Sequence, residues 1–134
     1  MEVFDATTRE VCQIRRIATN TPLQALVTLN DPVYVEAAVG MAKRWMSSSE
    51  SDADRIRAGF AQALCRPIEP DEFERLMLLL GRAKEHFETS PDSAKALLSD
   101  MPFVIEADVR PSELAAWSMV ASAILNLDEM LMRP

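Results

Sequence analysis

The chain has 134 residues, the length of one domain, of which 49% are apolar and 26% charged. These proportions are ordinary for a globular domain and exclude a disordered tail or a disulfide scaffold. Three glycines argue against a β-sandwich, a barrel or a glycine-rich phosphate loop, and no apolar run reaches the ~18 residues that span a membrane. The whole net charge of −7 lies in residues 68–134. Because net acidity repels phosphate backbones, we expect no nucleic-acid partner. The lack of a long apolar run predicts no membrane span.

The first residues of the chain, 1–20, show no clean hydrophobic period, so we predict an extended N-terminal arm there. A helix is predicted near residues 22–29, because Thr21-Pro22-Leu23-Gln24 has the form of a capping box. In that box Thr21 is the N-cap, and Gln24 reaches back to it from position N3.

A second helix is predicted near residues 32–47, since Asp31 precedes Pro32 in the order typical of a helix start. Its apolar residues form two stripes at helical spacing, so we expect it to be central and buried on most sides. The stripes are Tyr34, Ala38, Met41 and Trp45 and, separately, Val35, Val39, Ala42 and Met46.

A third helix is predicted near residues 52–65, with Ile56 and Phe60 on its apolar face. Cys65 is expected to continue that face as a small core residue. A disulfide between Cys12 and Cys65 stays open, because sequence spacing does not decide whether their Cα atoms come within about 7 Å.

The remaining helices are predicted near residues 70–88, 91–99 and 111–126, each beginning at a proline. Glu69 and Arg110 are poor N-cap residues, so the sequence defines the starts of the helices near 70–88 and 111–126 only to within a few residues. We expect Trp117, on the apolar face of the last helix, to be a buried anchor whose indole N–H finds an oxygen acceptor.

These segments have no fixed-length repeat, which argues against a solenoid. The sequence therefore predicts an all-α fold: a compact, single-domain helical bundle of about six helices with an extended N-terminal arm, covering residues 1–134. We expect this bundle to fold without a metal or cofactor, as a monomer or weak dimer.

Residues suited to catalysis are sparse. His86 is the one histidine, and its position off the apolar stripe predicts a solvent-facing side chain rather than a metal ligand. Cys12 and Cys65 belong to no C-x-x-C pair, which excludes covalent haem attachment through C-x-x-C-H and Cys-rich zinc sites. We therefore predict no catalytic, metal-binding or cofactor-binding residues.

The most specific pattern lies in the N-terminal third. It runs Phe4-Asp5-Ala6, Arg9-Glu10-Val11-Cys12, Arg15-Arg16, Thr19-Asn20-Thr21-Pro22-Leu23-Gln24-Ala25-Leu26, Leu29-Asn30-Asp31-Pro32 and Val35-Glu36-Ala37-Ala38. Two later signatures are Ala63-Leu64-Cys65-Arg66-Pro67 with Glu72, and Glu113-Leu114-Ala115-Ala116-Trp117 leading to Leu125-Asn126-Leu127-Asp128-Glu129. On these motifs the chain resembles the PSD-type domain of unknown function of planctomycete proteins, the C-terminal domain of large chains that also carry cytochrome-c-like domains.

This resemblance implies a domain excised from a larger extracytoplasmic protein, periplasmic or secreted, whose partners are its upstream domains or another protein. It implies no chemistry for this segment, since haem would belong to the upstream domains. The pattern usually has glycine in place of Cys65, so a left-handed backbone at Cys65 would be strained.

Two functions stay open. In the first, the domain is a non-catalytic helical module that packs on an upstream domain or a protein partner. In the second, it is an accessory part of a polysaccharide-directed or redox enzyme and supplies polar residues to a shared site. The candidate residues are Arg15, Arg16, Asn20, Thr21, Gln24, Asn30 and Asp31. We favour a structural role for them, in which arginines pair with carboxylates and asparagines satisfy backbone groups at helix ends.

Overall fold

The computed structural model describes residues 31–99, 101 and 109–131. The predicted arm over residues 1–20 and the predicted helix near 22–29 lie outside these ranges. Every regular element in the described ranges is an α-helix, which confirms the all-α fold. The helices are α1 (Pro32–Ser48), α2 (Asp52–Leu64), α3 (Pro70–Thr89), α4 (Pro91–Leu98), α5 (Pro111–Leu125) and α6 (Asp128–Leu131). None of them has the length and apolar character needed to cross a membrane.

Four of the six described helices begin at a proline, as predicted, and hydrogen bonds to two of these starts stabilise them. Asp31 precedes α1, and its Oδ1 accepts a hydrogen bond from the Val33 amide at 2.8 Å. At the start of α3, Glu72 reaches back and accepts from the Glu69 amide at 2.9 Å. Glu72, at position N3, therefore stabilises a helix start for which Glu69 alone is a weak N-cap.

Helix α5 lies at the centre of the described bundle and packs against α1, α3 and α4. It buries eight residues: Leu114, Ala115, Ala116, Trp117, Ser118, Val120, Ala121 and Ile124. Four of these have small side chains, which let neighbouring helices approach closely. The buried hydroxyl of Ser118 donates to the Leu114 carbonyl at 2.7 Å, so burying it leaves no donor unpaired.

The prediction that the helix near 32–47 is central and buried on most sides is wrong. Helix α1 buries one face, made of Ala38, Val39, Ala42 and Trp45, while 70% of Val33 is exposed. The two apolar stripes read from the sequence are neighbours around the helix. They therefore form a single broad face, which packs on α5.

Cys65 ends α2 and is not the core residue that its apolar neighbours predicted. Its backbone is left-handed, with φ 56° and ψ 26°, and its amide donates to the Ala61 carbonyl at 2.9 Å. This is the conformation that the glycine of the resembling pattern suggested. The helix ends at Leu64, so the Cys65 side chain turns into solvent as a free thiol. Cys12, its potential partner, lies outside the described residues.

Candidate functional site

The structure describes one of the seven candidate residues predicted from the sequence. That residue, Asp31, is the N-cap of α1 and contributes nothing to either of the cavities described below. The other six lie outside the described ranges: Arg15, Arg16, Asn20, Thr21, Gln24 and Asn30.

A cavity of about 480 Å³ lies between the second half of α1 and the start of α5. It is lined by Gly40, Lys43, Arg44, Met46 and Ser47 from α1, and by Val109, Arg110 and Glu113 from the α5 side. Three of these side chains are basic and one is acidic, so the described lining carries a net positive charge although the chain is acidic overall.

Glu113 connects this cavity to a cluster of charged side chains. Its carboxylate lies 3.0 Å from Nη2 of Arg110 and 3.8 Å from Nη1 of Arg55. Arg55 also donates to the carbonyls of Met46, at 3.0 Å, and Ser49, so it satisfies backbone acceptors at the end of α1. In this way Arg55 joins α1, α2 and α5 beside the cavity.

The same cluster covers the buried ring of Trp117. The guanidinium of Arg55 lies 5.7 Å from the ring centroid, and Nζ of Lys84 lies 6.0 Å from it. Lys84 also pairs with Asp52 at 2.6 Å. A second, smaller cavity of about 90 Å³ lies between Lys84 and Glu113.

Trp117 is fully buried, which confirms its predicted place in the core. The prediction that its indole N–H finds an oxygen acceptor is wrong for the described part of the chain, where neither Trp117 nor Trp45 has a hydrogen-bond partner for Nε1. Both rings are packed by apolar neighbours, and the cations above Trp117 are donors that offer no acceptor.

A second charged cluster brings the two later sequence signatures together. Arg66 donates to Glu72 at 2.7 and 2.9 Å and to Glu129 at 2.8 and 2.9 Å. These hydrogen bonds lower the pKa of both carboxyls and raise the pKa of Arg66. The guanidinium also lies 4.8 Å from the centroid of the buried Phe60 ring. Arg66 therefore connects the start of α3 and helix α6 to the end of α2.

The family described as "PSD1: Protein of unknown function (DUF1553)" matches residues 1–80, more than half of the chain. The chain belongs to the PSD1 family. Its match with PSD1 includes Arg66 and Glu72 but ends before Glu113 and Glu129. No curated protein and no solved structure matches the chain.

Sequence reasoning missed the cavity of this PSD1 chain. The adjacent Lys43 and Arg44 were a usable signal, because two successive cations near the end of a helix make a local positive field. No local pattern connects them to Arg110, which comes from the other end of the chain. His86 is exposed, as predicted, and the described residues contain no cluster of His, Cys, Asp and Glu suited to a metal ion.

Proposed function

We propose that this domain is a non-catalytic helical packing and protein-interaction module, at the C-terminal end of a secreted, cytochrome-c-associated multidomain protein. Its partner is an upstream domain of the same protein or a separate protein. It works outside the cytoplasm and without a cofactor of its own. The cytochrome association and the location come from the resemblance of its motifs to planctomycete domains.

The observation that carries this proposal is the role of Arg66. A carboxylate with a shifted pKa is a candidate for catalysis when it lies in a cleft. The shifted carboxylates here, Glu72 and Glu129, line neither cavity and are both held by Arg66. Their pKa values are lowered, whereas a general acid that works near neutral pH needs a raised one. They act as fixed anions that hold helices together.

Asp31 supports the same conclusion. In the alternative function, as an accessory part of a polysaccharide-directed or redox enzyme, this carboxylate contributes to a shared site. Its Oδ1 instead accepts from the Val33 amide and caps α1. That hydrogen bond fits the structural role weighed for these residues.

Cross-linking of the intact parent protein tests the proposal, because the chain has only three lysines, Lys43, Lys84 and Lys95. The side chain of Lys95 on α4 is 71% exposed. With a lysine-reactive cross-linker we expect links from Lys95 to residues of another domain or of a partner protein. Lys84 is the internal control, because its side chain is only 31% exposed and its ammonium pairs with Asp52 at 2.6 Å.

Deleting the domain from the parent protein separates the two functions. If the domain is a packing module, its removal lowers the unfolding temperature of the neighbour to which it cross-links. If the neighbour keeps its unfolding temperature and the cross-links stay within this domain, the module proposal is wrong. Loss of turnover by a parent protein that remains fully folded would favour the accessory-enzyme function.

A further inference from the structure

The cavity between α1 and α5 has the charge and shape of a binding site for a small oxyanion. Among the described residues, its walls carry the guanidiniums of Arg44 and Arg110, with the basic Lys43 and the carboxylate of Glu113 beside them. We propose that this cavity binds a small molecule through a carboxylate or phosphate group. The proposal is independent of whether the domain packs on an upstream neighbour.

Local electrostatics favour an anion here. The carboxylate of Glu113 already has two guanidinium neighbours, Arg110 at 3.0 Å and Arg55 at 3.8 Å. Arg55 also pairs with Asp52, at 3.5 Å, and none of the described carboxylates pairs with Arg44 across the cavity. A guanidinium presents a planar fork of N–H donors that matches the oxygens of a carboxylate or phosphate.

The orientation of α5 adds to the positive electrostatic potential at the cavity. The helix starts at the cavity wall, with Arg110 as N-cap and Pro111 as its first residue. In the described part of the chain no side chain caps α5, and the Glu113 and Leu114 amides donate to the Arg110 carbonyl at 3.1 and 3.0 Å. The positive end of the helix dipole thus lies beside the basic side chains and favours an anion in the same place.

The size of the cavity suits a small molecule rather than a single ion. Its volume of about 480 Å³ falls within the roughly 300–1,000 Å³ of ordinary ligand sites. Met46 and Val109 add apolar wall, which can pack against the carbon atoms of an organic acid. One of the walls is open at Gly40, where a Cβ would meet none of the described residues within 4 Å.

Gly40 therefore allows the cavity to be filled without disturbing the fold. Leucine at position 40 projects into open space, and it is a better helix former than glycine. Gly81 is the matched control, because it is also helical and a Cβ there also meets nothing within 4 Å, but it lines neither cavity. Arg82 on α3 is exposed and lines neither cavity, so it is the control for the basic residues.

The test is a titration of the complete chain with inorganic phosphate and, separately, citrate, followed by amide NMR at constant ionic strength. We expect saturable shifts confined to the second half of α1 and the start of α5, with a dissociation constant in the millimolar range or tighter. Gly40→Leu, Arg44→Gln and Arg110→Gln should each weaken binding by about tenfold or more. Gly81→Leu and Arg82→Gln should bind like the unmodified chain.

Several results would overturn the proposal. Shifts that never saturate, or that spread over the whole surface, indicate a general salt effect. Equal binding by Gly40→Leu and Gly81→Leu places the anion elsewhere. If Gly40→Leu fails to fold by circular dichroism, Arg44→Gln against Arg82→Gln decides the question. Saturation by citrate alone supports an organic carboxylate as the ligand, and saturation by phosphate alone supports a phosphate ester.

Discussion

The indole of Trp45 lies directly against the backbone of Gly59, where a Cβ would come within 2.5 Å of the ring atom Cε2. The contact joins α1 to α2 and leaves 2% of Trp45 exposed. A glycine inside a helix weakens that helix by roughly 0.5–1 kcal/mol relative to alanine. Here the missing side chain is what allows the large ring to be buried.

Gly59→Ala should therefore destabilise the domain, although alanine is the better helix former. We expect a loss of about 1–3 kcal/mol in the free energy of unfolding, because the backbone or the Trp45 ring has to move. Urea denaturation measures this loss. Gly81→Ala, where a Cβ has open space, is the control and should be stabilised by up to about 1 kcal/mol. Equal effects at both positions would contradict the close packing of Trp45 on Gly59.

Trp117→Ala should lower the free energy of unfolding by about 3–5 kcal/mol, because it leaves a cavity where α5 packs against its neighbours. Trp117→Phe should lower the free energy of unfolding by clearly less. It keeps an aromatic ring in place and removes an indole N–H that has no partner among the described residues. Urea midpoints of the two variants, together with quenching of tryptophan fluorescence by an aqueous quencher, check this prediction. A stable alanine variant would contradict the core role of Trp117.

Cys65→Gly should stabilise the domain. The Cys65 backbone has φ 56°, in the left-handed region that costs a residue with a Cβ about 1–2 kcal/mol. Glycine avoids that cost but has more entropy in the unfolded chain, so we expect a net gain of roughly 0.5–1 kcal/mol. Thermal unfolding under reducing conditions measures it. Cys65→Ala keeps the Cβ and should stay close to the parent, whereas a gain of the same size would attribute the effect to the thiol.

The Arg66 cluster should make stability depend on pH in the acidic range. Hydrogen bonds from Arg66 lower the pKa of Glu72 and Glu129 from the ordinary value of about 4.5. For groups with a lowered folded-state pKa, the stabilisation is complete above the unfolded-state pKa and is lost as the pH falls through the folded-state value. We therefore expect the unfolding temperature to decrease as the pH falls below about 4.5, because the unfolded chain then binds more protons than the folded one.

Glu72→Gln and Glu129→Gln test the cause of that decline. Each substitution should make the decrease in unfolding temperature at acidic pH (the acid limb) less steep. At neutral pH Glu72→Gln should destabilise the domain more than Glu129→Gln, because Glu72 also accepts from the Glu69 amide at the start of α3. Glu74→Gln, an exposed position on the same helix, is the control. An acid limb unchanged in both variants would show that the carboxylates at Arg66 do not control it.

Five of the six helices in the described part of this protein could be predicted from local sequence patterns. Pro32, Pro70, Pro91 and Pro111 mark four helix starts because their fixed φ and missing N–H act within one turn, and apolar spacing gave the lengths. Helix α6 was missed, since four residues (Asp128–Leu131) are too few to show a period. The exposed His86 and the buried Trp117 were also predicted, because a side chain's position on its own helix decides its face.

Which helix is central and which charged side chains meet depend on how the helices pack together. The apolar face of α1 and the nearly all-apolar α5 are both compatible with a buried helix, and only packing against three neighbours places α5 inside. Arg66 and Glu129 are 63 positions apart, and the cavity joins Arg44 to Arg110. Such pairings depend on how the helices pack against one another, and an apolar pattern that repeats every three or four residues does not predict them.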